Sequence, residues 1–255
     1  MMTRTAAVAL TTALTTALAA AALAAGAPDA GAALPLSGRT VTLDPGHDGG
    51  NASHPTEINR RVYAGYGLYK ACNTVGTSTR RGYSEHAFTW DVANRAAALL
   101  RARGARVVLT RSSDTGVGPC VDVRPAIANR AGSDAVVSIH GDGNDSAGAR
   151  GFHIIEPIAP PVTASVRDRS DRLARTLRGV FRSTTGIPYA NYLAGGDGLD
   201  ARRDLGGLNL STRPVVFIEC GNMRNGTDAS LMSSAGGRQR IATGIADGVT
   251  RYLRG

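Results

Sequence analysis

Aromatic side chains are scarce in this 255-residue chain: Phe, Trp and Tyr together make up 5%, with a single Trp. A β-sandwich of this size relies on bulky alternating side chains for its core. Their shortage, beside 32 glycines and abundant alanine, argues for an α/β fold packed from small residues. Lysine is almost missing as well, since every one of the 29 basic residues except Lys70 is an arginine. With 20 acids the net charge is +9. The arginines are not interleaved with aromatics, which excludes the usual pattern of a nucleic-acid surface. The excess charge fits the arginine and alanine usage of a GC-rich genome, with attraction to anionic wall polymers or lipid surfaces as the alternative. Internal repeats and Ser/Pro linkers are absent, so one domain is expected. After residue 25 no apolar run is long enough to span a bilayer.

What is present begins with a segment of separate purpose. Arg4 precedes the uncharged Ala/Leu/Thr run from Ala6 to Ala25, and small-residue cleavage signals follow at Ala22-Leu23-Ala24 and Ala30-Gly31-Ala32. This is the plan of a secretory signal peptide over residues 1–32, its cleavage site open, ahead of a domain over 33–255. A membrane anchor is the competing reading, but a run so rich in Ala and Thr is only weakly apolar. The mature chain is expected outside the cytoplasm, with no stable membrane insertion after cleavage. In that setting disulfides are permitted. Cys72 and Cys120 both lie in Gly/Thr/Ser-rich loop sequence, whereas Cys220 ends an apolar run. Cys72–Cys120 is therefore the expected disulfide, although sequence leaves the other two pairings open.

Short β-branched or apolar runs at 40–43, 105–110, 135–139, 151–156 and 214–218 read as strands. Helices are expected from Ser84 to about Gly104, over 123–131, over 162–185 and over 228–253. Residues 48–81 and 186–213 lack clear periodicity and read as long loops. The alternation predicts an α/β domain with a mainly parallel twisted sheet covered by helices on both faces.

Three of these strands lead to a polar residue at their carboxyl end: His140 and Glu219 directly after the apolar run, and His47 after the sharp turn Asp44-Pro45-Gly46. In open parallel sheets ligands bind beyond the carboxyl ends of the strands, so the three side chains are expected to converge. Glu85 shares the inward face of its helix with Phe88 and Val92. A carboxylate there is costly unless it is paired or binds a metal. Two histidines and an acid with one open position suit a catalytic zinc ion, with Glu219 as general acid/base. Each residue alone has an ordinary explanation: a loop hydrogen bond for either histidine, the helix dipole for Glu85, an arginine partner for Glu219. Only their joint placement carries the reading. His54, His86 and His153 do not share it; His86 points about 100° away from Glu85 round the helix, and His153 packs within a strand or faces solvent. Asp44 and Asp142 are expected to orient the ligand histidines.

On these residues the chain resembles the zinc-dependent N-acetylmuramoyl-L-alanine amidases of the Amidase_3, AmiC-like type, from about Thr40 to Leu253. The matching strings are Leu43-Asp44-Pro45-Gly46-His47-Asp48-Gly49-Gly50, Glu85 at a helix start, and Val108-Leu109-Thr110-Arg111. Arg124 with Ala126-Ile127-Ala128-Asn129, then Val137-Ser138-Ile139-His140, and finally Val216-Phe217-Ile218-Glu219-Cys220-Gly221-Asn222-Met223-Arg224-Asn225 complete the set. The resemblance implies one Zn2+ per chain on His47, Glu85 and His140, with Glu219 catalytic. It implies hydrolysis of the amide between N-acetylmuramic acid and L-alanine in peptidoglycan or muropeptide fragments, by a monomer in the periplasm or cell wall. Arg111, Arg124 and Asn129 read as supports of the fold. The departure at Gly141-Asp142-Gly143-Asn144 is expected to loosen that loop. The segment before residue 162 is too short for the helix that blocks the metal in some relatives, so residues 48–83 stand as a possible gate. A wall-binding relative without activity and a zinc deacetylase acting on glycan N-acetyl groups are the rival readings.

Overall fold

The structure is a computed structural model that describes residues 1–2 and 33–255. The expected signal peptide therefore lies, apart from its first two residues, outside the described residues. From Leu34 onward the chain forms one body. It opens with β1 (Thr40–Pro45), the single-turn α1 (Pro55–Ile58) and the hairpin β2 (Arg61–Tyr63) and β3 (Tyr69–Ala71), followed by α2 (Glu85–Ala102) and β4 (Arg106–Leu109). Next come α3 (Val123–Arg130), β5 (Ala135–Asp142), β6 (His153–Pro157), α4 (Ala164–Thr185) and β7 (Leu199–Arg202). The chain closes with α5 (Gly206–Asn209), β8 (Val215–Asn222), α6 (Gly226–Ser233) and α7 (Ala235–Arg254).

Six strands make one sheet in the order β4-β1-β5-β8-β6-β7. All pairings are parallel except β6 with β8. The period of two along each strand divides its residues between two unequal faces. Val41, Leu43, Val137, Ile139, Val216 and Ile218 meet the core built with α2, α4 and α7. Their alternates Val136, Ile155, Val215 and Phe217 meet a smaller cluster with Ala128 of α3, Leu208 of α5 and Leu205. Both faces are covered, as expected, but one only by short helices. By the same alternation Asp44, Ser138, His140 and Glu219 belong to the thinly covered face, where a cavity of about 450 Å³ opens.

Helix α2 forms where expected because Phe88, Val92 and Ala96 recur every fourth residue, and all three are fully buried. Ser84 precedes it in extended conformation, but its side chain makes no capping hydrogen bond. The single final helix of the sequence reading is two. The Ser234 hydroxyl accepts from the Gly237 amide (3.1 Å) and starts α7 afresh. The two expected long loops also contain regular structure, since β2 and β3 lie in the first and β7 and α5 in the second.

Candidate metal centre and active-site cavity

β1 delivers His47 through a tight turn. Its φ is +61°, unusual for a residue with a side chain. Buried arginines hold the turn: Arg124 donates to the carbonyls of Pro45 (2.9 Å) and His47 (3.0 Å), and Arg111 Nε to that of Pro45 (3.0 Å). Asn129 joins α3 to the Leu210 carbonyl (2.9 Å) and accepts from the Thr212 amide (2.9 Å). These three residues thus sit as the supports that the sequence reading made them.

The His47 ring directs Nδ1 to the Thr74 carbonyl (3.0 Å), which leaves Nε2 3.1 Å from Glu85 Oε1. The same carboxylate oxygen lies 3.0 Å from His140 Nδ1 and accepts from the Gly141 amide (3.1 Å), while Oε2 accepts from the Thr77 amide (2.9 Å). One ligand atom from each of His47, Glu85 and His140 falls within 4.8 Å of the others. Among the described residues this is the one such group. A relay fixes His140. Its Nε2 is 3.2 Å from Ser138 Oγ, which donates to Asp44 Oδ2 (2.6 Å), so the hydroxyl oxygen is free to accept from Nε2–H. Asp44 is held in turn by Arg124 (2.6 Å) and Thr110 (2.5 Å). Phe217 stacks on the His140 ring at 5.3 Å and 12°. A β-carbon on Gly46 would lie 2.3 Å from that ring, so only glycine fits beneath it.

Glu219 stands on β8 in register with His140 on one side and His153 on the other. Its Oε2 is buried without a hydrogen-bond partner. Burial, and then the neighbouring charges of Glu85 and Asp142, push its carboxyl well above the usual range, with Arg202 opposing. At Glu85 burial acts upward but His47 and His140 prevail and lower it; at His47 burial acts downward but Glu85 raises it. Asp44 falls to about 2, because Arg124, Ser138 and Thr110 outweigh burial.

The four residues expected to converge all line the one cavity. His54 instead reaches the Gly50 carbonyl (2.8 Å), His86 pairs with Asp114 (2.9 Å), and His153 is buried with Nδ1 unpartnered. Two expectations need correction. Asp44 does reach a ligand histidine, through Ser138, but Asp142 bonds the Tyr192 hydroxyl (2.7 Å) and bears on Glu219 instead. Nor is the 141–144 loop loosened. Asn222 bonds both the amide (3.1 Å) and the carbonyl (2.8 Å) of Asn144, and a β-carbon on Gly141 would lie 2.6 Å from Met232. Sequence reasoning missed Thr74, Ser138 and Tyr192. Of these only Ser138 carried a signal, since it lies two residues before His140 on the same strand face. The Cys72–Cys120 disulfide is present and Cys220 is a buried free thiol. The disulfide anchors the wall of the cavity formed by Asn73, Thr74, Gly76 and Thr77.

Two imidazoles and a carboxylate converge at the carboxyl edge of a parallel sheet, with a second acid beside them over an open cavity, its Oε2 buried without a partner. That combination defines the centre of a metal-dependent hydrolase. The chain belongs to the N-acetylmuramoyl-L-alanine amidase family Amidase_3, whose pattern matches residues 41–251. It is 44% identical over 218 residues to the N-acetylmuramoyl-L-alanine amidase Rv3717 of Mycobacterium tuberculosis, covering 86% of this chain and 88% of that protein. The crystal structure of the amidase Ami1 from Mycobacterium smegmatis superposes with a TM-score of 0.80 at 43% identity, over 86% of this chain and 98% of that one. The amidase AmiC2 of Nostoc punctiforme shares the fold at 24% identity and a TM-score of 0.66, over 86% and 99% of the two chains.

Proposed function

We propose that this chain cleaves the amide joining the lactyl group of N-acetylmuramic acid to L-alanine, in peptidoglycan or its soluble fragments. It would act as a monomer outside the cytoplasm, with one zinc ion on His47, Glu85 and His140. The observation that carries the reading is the convergence of those three ligand atoms within 4.8 Å in the cavity that Glu219 also lines.

The donor set fits the metal. Two imidazoles with one carboxylate suit zinc better than magnesium or calcium, which favour oxygen alone. The hydrogen bonds of His47 to Thr74 and of His140 to Ser138 commit the outer ring nitrogens and turn the inner ones toward Glu85. When bound, zinc supplies a Lewis acid that polarises a carbonyl and acidifies water. The rest belongs to the protein. The Glu219 carboxylate, which lines the cavity and lacks a protein partner at Oε2, takes a proton from the attacking water and passes it to the departing alanine nitrogen as the C–N bond breaks. Its raised proton affinity suits both halves of that transfer. Phe217 shields one side of His140 from water.

Mass spectrometry of muropeptides after incubation with the mature, zinc-loaded protein tests this. Free stem peptides beginning with L-alanine are expected, and Glu219→Gln should lower kcat by about 10²–10⁴-fold while keeping its zinc. Acetate as the sole product would make the protein a deacetylase. Absence of any cleavage would leave a wall-binding protein.

A further inference from the structure

We infer that the cleft beyond Gly76 and Thr77 is a subsite for the acidic part of the stem peptide, in which Arg224 receives a carboxylate; this rests on the amidase reading above. Three neighbouring cavities share lining residues. The metal-centre cavity shares Gly76 and Thr77 with a cleft of about 230 Å³. Their junction lies directly against the ligand triad, since the Thr77 amide donates to Glu85. The cleft shares Arg224 with a third cavity of about 650 Å³, lined by Arg80 and Arg81 and by hydroxyl-bearing Thr79, Ser230 and Ser233.

Arg224 differs from the other arginines near the centre. Every guanidinium nitrogen of Arg111 and Arg124 is hydrogen-bonded within the protein. Arg224 is only partly exposed, yet its Nε is buried without a hydrogen-bond partner. The nearest acid, Asp145, is 3.8 Å away and already bonded to Arg80 at 3.1 Å. A guanidinium fork is shaped for a carboxylate. Three arginines against Asp145 leave this end positive, although Asp48 and the His86–Asp114 pair stand at the nearer cleft. Cleavage falls at the first stem residue, and a carboxylate on the second lies about 7 Å further along an extended chain.

The test compares two muropeptides that differ only by a carboxylate or a carboxamide on the second stem residue. Wild type is expected to show a KM about tenfold lower for the acid, a discrimination typical of a charge-assisted pair. Arg224→Met should bring the KM ratio near one, while Arg130→Met, at the opposite end of the sheet, keeps it. An unchanged ratio in Arg224→Met, or no preference in wild type, overturns the subsite. Calorimetric binding of the two free stem peptides to the zinc-loaded protein separates the two claims. If no muropeptide is cleaved but Arg224 still discriminates between the peptides, the amidase reading fails and the subsite stands. If cleavage is normal and discrimination is missing, the subsite fails alone.

Discussion

The backbone of His47 sits in the left-handed region, which costs a residue with a β-carbon about 1–2 kcal/mol. Arg111 and Arg124 secure that turn through the carbonyls on either side. The site residues were legible because their signal is local: a polar residue ending an apolar run for His140 and Glu219, the sharp turn after the first strand for His47, and helical spacing from Phe88 for Glu85. Thr74 and Tyr192 were not, since each comes from irregular chain and meets a partner 27 or 50 residues away. Asp142 was misassigned for the same reason, because its true neighbour Glu219 arrives from another strand. The corrected placement has a consequence for pH. Asp142 helps to raise the Glu219 carboxyl, so removing its charge lowers that proton affinity. In Asp142→Asn the base form then survives to lower pH, and the acidic limb of the kcat/KM profile moves downward. A limb that stays in place would show that Asp142 does not act on Glu219.

Among the elements, the five runs that make the sheet apart from β7 and the periods of the long helices were readable, because burial imposes regular spacing on them. β7 was not. It is a four-residue edge strand with the polar sequence Leu-Asp-Ala-Arg, and edge strands need no apolar pattern. The hairpin of β2 and β3 escaped for a related reason, since only Val62 of its strands is buried. Val62 packs on Cys72 and Cys120, so the disulfide takes the place of a core there. Joining residues 48 apart is worth about 4 kcal/mol in the chain-entropy view, with 2–4 the usual yield. Cys72→Ala/Cys120→Ala is therefore expected to lose roughly 2–4 kcal/mol in denaturant titration. Because Thr74 and Thr77 ride on the tethered segment, its activity should fall as well. Unaltered stability in the double variant would mean that the hairpin is held by other contacts.

For the molecule as a whole, the metal centre and the fold share one set of buried charges. Asp44 is the link, bonded to Arg124 and, through Ser138, to His140. Its carboxyl titrates at about 2 in the fold against 3.8 ordinarily. A lowered folded pKa contributes stability that is complete above about pH 4 and disappears as pH falls toward 2, about 2 kcal/mol in all. The urea midpoint should drop across that window in wild type and less steeply in Asp44→Asn; parallel curves would remove Asp44 from the account. Metal binding adds a second linkage. An ion that binds only the folded state stabilises it by about 2.7 kcal/mol when its free concentration is a hundredfold above Kd. For a body of this size that corresponds to roughly 5–10 °C in Tm. Chelation should lower the wild-type Tm by that order, and returning zinc should restore it. Glu85→Gln separates the ion from any general effect of the chelator, because it keeps the shape of the side chain while removing the anionic ligand. Its Tm should respond little to either treatment. A wild-type Tm indifferent to chelator and to zinc would mean that His47, Glu85 and His140 converge through hydrogen bonds to one carboxylate alone, and the metal would have to be removed from the mechanism.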